Sequence, residues 1–130
     1  INGIPLIAYS IKHAIEFQGK YNVDIALSTD DDYIKQVAAE YGIFTSYSRP
    51  IILASDSAGK IETIKHLLQY EEEVRNKKYG YVLDLDITSP LRNMNDLTTA
   101  FDIISNDKKA LNLFSVSLAN KNPYFNMVEK

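Results

Sequence analysis

Apolar positions along the chain switch repeatedly between a helical period and a strand period, and that alternation sets the expected order of elements. Ile7, Ile11, Ala14 and Ile15 follow the stripe of an amphipathic helix, with Pro5 suited to its first turn. Residues 23–27 read as a short buried strand. Asp30 is placed to cap a second helix whose inward stripe is Ile34, Val37, Ala38 and Tyr41, and Gly42 offers a left-handed stop. A further extended segment covers residues 43–46. The Arg49-Pro50 step then forces an extended entry into residues 51–54, which read as a loop lying on the protein. Ser57 can cap a long third helix with Ile61, Ile64, Leu67, Leu68 and Val74 facing inward. Residues 81–86 form the next strand. Leu97, Ala100, Phe101 and Ile104 stripe a fourth helix, and residues 111–118 read as a last strand.

Strands separated by helices imply parallel pairing through right-handed crossovers, hence a three-layer α/β sandwich with a mainly parallel sheet. No internal repeat or linker divides it, so residues 1–130 are expected to form a single domain. Ligands of such sheets bind outside the strand C-termini. Three places qualify: Ser28-Thr29-Asp30, the stretch from Asp84 to Arg92, and the stretch from Asn120 to Asn126.

The second of these carries the clearest chemistry. By the two-residue period of a strand, Val82, Asp84 and Asp86 share one face while Tyr81, Leu83, Leu85 and Ile87 share the other. Two carboxylates side by side at the end of a buried strand call for a cation, a donor-rich ligand or protein donors, because burying them uncompensated is costly. Solvation at the sheet edge, or capping of the following turn, is the plainer alternative. For Asp30, Asp31 and Asp32, acids in a first helical turn point to capping rather than metal binding. The run from Glu71 to Lys78 places acids before bases as i, i+4 pairing favours, and reads as a solvated face.

Composition narrows the chemistry without choosing it. With 45% hydrophobic and 24% charged residues, the 130-residue chain has an ordinary globular profile. Its net charge of −3 and the lack of any basic run beyond Lys77-Lys78 argue against a nucleic-acid surface. The absence of cysteine removes disulfides, thiolate nucleophiles and Cys-ligated zinc, and is compatible with a cytoplasmic protein. His13 and His66 lack a metal-ligand spacing. No apolar run reaches membrane-spanning length, so no membrane association is expected. The chain opens at Ile1 on Asn2-Gly3-Ile4-Pro5, a turn into a helix, and further material is expected upstream.

Four motifs in register carry a family resemblance. They are Ser28-Thr29-Asp30-Asp31; Arg49-Pro50 followed by Leu53-Ala54-Ser55-Asp56-Ser57-Ala58; Thr88-Ser89-Pro90-Leu91-Arg92; and Asn122-Pro123-Tyr124-Phe125-Asn126-Met127. In this order and spacing they resemble the acylneuraminate cytidylyltransferases, the synthetases of CMP-sialic acid and CMP-legionaminic acid. The resemblance implies a Rossmann-like sheet of the nucleotide-diphospho-sugar transferase type. It also implies a Mg²⁺-dependent reaction, with Mn²⁺ as a possible substitute, in which the anomeric hydroxyl of an acidic nine-carbon sugar attacks the α-phosphate of CTP. Arg49, Ala58 and Lys60 would then contact the nucleotide, and Arg92, Asn122, Tyr124 and Asn126 the sugar. Asp86 would bind metal and serve catalysis, with Asp84 as a second metal candidate one pleat deeper. A homodimer is implied for the full-length protein.

Physical chemistry leaves some of these roles open. Arg49 can bind phosphate, or pair with an acid such as Asp56. Thr88 and Ser89 suit a turn better than a ligand contact. The chain also departs from the family pattern: Lys60 stands where some relatives use Ser, Asp86 where many have Gln, and Phe125 near a basic position. The family's basic, glycine-containing phosphate loop would precede Ile1, and a further metal-binding acid and dimerisation segment would follow Lys130. The chain thus resembles the centre of a synthetase, incomplete at both ends. Two other readings remain: a metal-dependent glycosyltransferase using Asp84-x-Asp86, and a non-catalytic nucleotide-binding remnant.

Overall fold

A computed structural model describes residues 2–55 and 57–116. They fall into two compact units, Ile1–Leu97 and Thr98–Lys130.

The first unit is organised around two helices, α1 (Leu6–Gln18) and α2 (Asp32–Glu40), whose apolar stripes meet. Ile7 and Ile11 of α1 pack with Val37 and Ala38 of α2, and Leu27, Ile34, Tyr41, Ile43 and Ile87 close around them. Leu27, Ile43 and Ile87 lie in, or directly after, three of the four segments expected as strands, so each of those three reaches the same core. Ile15, expected on the inward stripe, is 44% exposed; Phe17 takes its place, buried and stacked on Tyr21 at 4.4 Å between ring centroids.

Helix ends follow local chemistry, with small shifts from the expected positions. Asp31, not Asp30, caps α2: its Oδ1 accepts from the amides of Tyr33 at 2.7 Å and Ile34 at 3.3 Å. The Thr29 hydroxyl accepts from the Asp31 amide at 3.1 Å and sets that geometry. At the far end Gly42 adopts φ 84°, and the amides of Gly42 and Ile43 donate to the carbonyls of Ala39 and Ala38, the bonding pattern of a Schellman stop. Residues 51–53 form a 3-10 turn, Ile51–Leu53. The long helix α3 (Lys60–Arg75) begins three residues after Ser57, with Gly59 as its N-cap and no side-chain cap. The Glu62 carboxylate folds back over Gly59, so that a Cβ there would come within 1.8 Å of Glu62 Oε2 and would have to displace it. The α3 stripe is shallower than expected: Ile64, Leu67 and Leu68 are half-buried, while Ile61 and Val74 are exposed.

Among the described residues no segment forms a paired strand. Residues 81–83, expected on a buried strand, are about half exposed in consequence, since no neighbouring ladder covers them.

The charged run at the end of α3 is more than a solvated face. Glu71 is buried and accepts from Arg75 Nε at 2.7 Å, the expected i, i+4 pair. Arg75, Lys77 and the Tyr79 hydroxyl then converge on the Asp24 carboxylate, with Tyr79 Oη 2.6 Å from Oδ2 and Arg75 Nη1 3.3 Å from Oδ1. This network fastens the C-terminal end of α3 and residues 77–79 to the first strand-like segment. Asp24 is held below the usual carboxylate range, by Lys77 first and Tyr79 next. Burial, and then Asp24, push the Tyr79 phenol up from 10.0 to about 12. Because the folded value lies above the unfolded one, the contribution of Tyr79 is complete below pH 10 and is lost as pH rises towards about 12. Tyr79→Phe is therefore expected to cost about 1–2 kcal/mol at neutral pH and to flatten the alkaline decline. Urea denaturation of both forms through the alkaline range measures both effects.

In the second unit, α4 (Met94–Asn106) continues from Thr98 into a turn in which the Ala110 amide donates to the Asp107 carbonyl at 3.1 Å. Residues 111–116 of the expected last strand are exposed, with no ladder partner among the described residues.

Candidate functional site

The end of the 81–86 segment, the loop after it and the first turn of α3 together build one polar cluster. Asp84 and Asp86 do share a face, as the two-residue period requires, and Lys60 meets both. Its Nζ lies 2.6 Å from Asp84 Oδ2 and 3.4 Å from Asp86 Oδ2. The other oxygen of Asp86, Oδ1, accepts from the Thr88 amide at 2.8 Å and the Thr88 hydroxyl at 2.7 Å. Asp86 is thus both the N-terminal residue of an Asx turn and one half of an acid pair. Its carboxyl is held below the ordinary range by the Thr88 hydroxyl first, then by the Thr88 amide, with Lys60 adding to them. The Lys60 ammonium is raised, chiefly by its hydrogen bond to Asp84.

The side chains of Lys60, Asp84 and Asp86 are 58%, 42% and 47% exposed, so the cluster opens to solvent. Ion pairs of that exposure contribute about 0–1 kcal/mol each. The cluster is therefore easily rearranged. Among the described residues no group of three His, Asp or Glu side chains forms.

The loop from Asp86 to Asn93 is fixed from both ends. Arg92 Nη2 donates to the Asp86 carbonyl and, at 2.8 Å, to Ser10 Oγ of α1. One guanidinium nitrogen thus ties the site to the helix at the centre of the core. Ser10 is itself buried, and Arg92 Nε is buried without a hydrogen-bond partner. The Arg92 amide donates to the Pro90 carbonyl at 2.9 Å. Beyond it Asn93 and Asp96 cap α4 reciprocally: the Asn93 amide donates to Asp96 Oδ2 at 2.8 Å, and the Asp96 amide to Asn93 Oδ1 at 3.1 Å.

A second cluster joins two of the sequence motifs. Arg49 Nε donates to Ser28 Oγ at 3.0 Å, Arg49 Nη2 to the Ser28 carbonyl at 2.6 Å, and the Arg49 amide to the Thr29 carbonyl at 3.0 Å. Arg49 therefore braces the end of the 22–29 segment. Ala58 precedes α3, and its amide closes a turn onto the Ser55 carbonyl at 3.0 Å. Of the expected site residues, Lys60, Asp84, Asp86 and Arg92 are brought together, while Arg49 and Ala58 serve neighbouring turns. Asn122, Tyr124 and Asn126 lie outside the described residues.

Ser10 and Asn93 complete these clusters without having been singled out, while Ser28 and Thr88, which lay within the expected ligand places, act here as partners of Arg49 and Asp86. Ser10 left a signal, a small polar residue on the apolar stripe of α1 between Ile7 and Ile11. Asn93-x-x-Asp96 left another, the spacing of a capping box.

No protein-family model matches the chain. Over 129 residues it is 36% identical to the post-translational flagellin modification protein B of Campylobacter coli, covering 99% of this chain and 54% of that protein. The same identity over 129 residues, with the same shares, relates it to the CMP-N,N'-diacetyllegionaminic acid synthase of Campylobacter jejuni. A pseudaminic acid cytidylyltransferase of Campylobacter jejuni is 36% identical over 110 residues, 84% of this chain and 46% of that protein. The chain spans about half the length of these curated relatives.

Proposed function

Because this chain belongs to the acylneuraminate cytidylyltransferase family, we propose that its protein transfers CMP from CTP to the anomeric hydroxyl of a nonulosonic acid. The sugar would be of the sialic, legionaminic or pseudaminic kind. The anomeric oxygen forms a bond to the α-phosphorus, the bond from that phosphorus to pyrophosphate breaks, and the hydroxyl proton leaves. Such a displacement needs alignment and charge neutralisation rather than a covalent nucleophile.

The observation that carries this reading is the convergence of Asp84, Asp86 and Lys60. Two carboxylates and one ammonium at the start of a helix suit a site handling both a divalent cation and phosphate. The donor set fits Mg²⁺ or Mn²⁺: both acids offer hard oxygens to solvent, and Mg²⁺ is commonly held by one or two carboxylates together with substrate phosphates. Asp86 and Asp84 would hold the ion. When bound, it supplies positive charge to the phosphates in the transition state. Lys60 and the first-turn amides of α3 would favour the triphosphate. Asp86 is fixed for this by Thr88 on one oxygen and by Arg92 through its backbone.

The mainly parallel sheet belongs to the same proposal, as do sugar contacts from Asn122, Tyr124 and Asn126 and a homodimer of the full-length protein. Among the described residues no helix is long and apolar enough to cross a membrane.

Nucleotide choice tests the reading. With a panel of nonulosonic acids, the full-length protein should consume CTP in preference to ATP, GTP or UTP. Pyrophosphate should be released only when the acid is present. Equal turnover of UTP with a hexose 1-phosphate would overturn it.

A further inference from the structure

We propose that Lys60 is a tethered counter-cation that competes with a divalent ion for Asp84 and Asp86, and that metal entry frees its ammonium for phosphate. This rests on the metal role given to the acid pair above.

The geometry makes the two cations alternatives. Asp86 Oδ1 is taken by both donors of Thr88, which leaves Oδ2 as the oxygen facing a cation, and Oδ2 is the one that faces Lys60. Asp84 likewise presents Oδ2 to Nζ, at 2.6 Å. An ion bridging the two acids on that side would therefore meet Nζ at the same pair of oxygens.

The helix supplies the second half of the argument. Lys60 is the first residue of α3, where the helix dipole disfavours a cation and favours an anion. Its placement there is satisfied by the acid pair when no phosphate is near. Once a metal takes the acids, a phosphate at the helix start satisfies both Nζ and the first-turn amides. The long stem and an exposed side chain let the ammonium move between the two partners without disturbing the core. Metal and nucleotide binding are in this way coupled through one residue.

Mn²⁺ binding to the full-length chain, measured by electron paramagnetic resonance without nucleotide or sugar, tests the competition. Lys60→Met should tighten Mn²⁺ binding about two- to fivefold, the scale of one exposed charge interaction. Lys60→Arg, which keeps the charge, should stay near the parent protein, and Lys60→Gln should repeat the gain should the Met variant fold poorly. Asp86→Asn should weaken Mn²⁺ binding, and adding Lys60→Met to it should recover less than Lys60→Met gives alone, since the two residues act on one site. Unchanged or weaker Mn²⁺ binding in both neutral variants would overturn the competition. So would an Asp86→Asn protein that binds Mn²⁺ like the parent. No nucleotide enters the measurement, so a failure of CTP selectivity is separately visible.

Discussion

Asp86→Asn in the full-length protein is expected to lower cytidylyl transfer by about two orders of magnitude or more, because metal charge stabilisation contributes several kcal/mol to such transition states. Asparagine keeps the size and one acceptor oxygen, so the Asx turn onto Thr88 can persist. What it lacks is the negative charge that a hard divalent ion needs. Activity should recover in part at high Mg²⁺ or with Mn²⁺. Asp84→Asn should change metal dependence less, because Asp84 stands one pleat further from the loop. Steady-state rates titrated against Mg²⁺ and Mn²⁺ for the three proteins decide the matter. Near-normal turnover with an unchanged Mg²⁺ requirement in Asp86→Asn would make the acid a hydrogen-bonding group only.

What the sequence announced in advance was mostly local. The helical stripe at Ile7 and Ile11 and the stripe at Val37 and Ala38 locate the core, because a 3.6-residue period has few other ways to be buried. The glycine stop at Gly42 is equally legible, since few residues accept φ 84°. The two-residue period placed Asp84 and Asp86 on one face before any contact was known. Positions decided by tertiary partners were not legible. Nothing in the run from Glu71 to Lys78 shows that Glu71 is buried or that Arg75 and Lys77 reach back to Asp24, about fifty residues earlier in the chain. Nor does the position of Lys60, two residues beyond the motif that ends at Ala58, show that its ammonium turns towards the acid pair. The cap of α3 falls at Gly59 rather than Ser57, where the Glu62 carboxylate folds back into the space a Cβ would take. That is a side-chain packing effect which capping preferences do not encode.

Arg92 holds the other large expected effect. The family resemblance assigns it to the sugar, and the structure adds a bracing role, in which one guanidinium nitrogen joins Ser10 on α1 to the carbonyl of Asp86. Ser10 is buried beside Ile7 and Ile11, so the link references the acid pair to the core of the unit. Arg92→Ala removes it and leaves the Asp86 carbonyl and the Ser10 hydroxyl without their shared donor. The end of the 81–86 segment can then shift by a fraction of an ångström to an ångström, and a displacement of that size at a reacting centre costs about 100-fold. The loss should appear mainly in kcat, with the KM for the nonulosonic acid changed little and the apparent Mg²⁺ requirement raised. Arg92→Lys should retain only part of the rate, because a freely rotating ammonium does not hold its donors at the fixed in-plane angles of the guanidinium Nη2. Ser10→Ala, which loses one of the two contacts and touches no substrate, should fall between the parent and Arg92→Ala on the same readouts. A rise confined to the KM of the acid, with kcat and metal dependence unchanged, would assign Arg92 to substrate binding and free the acid pair from its control.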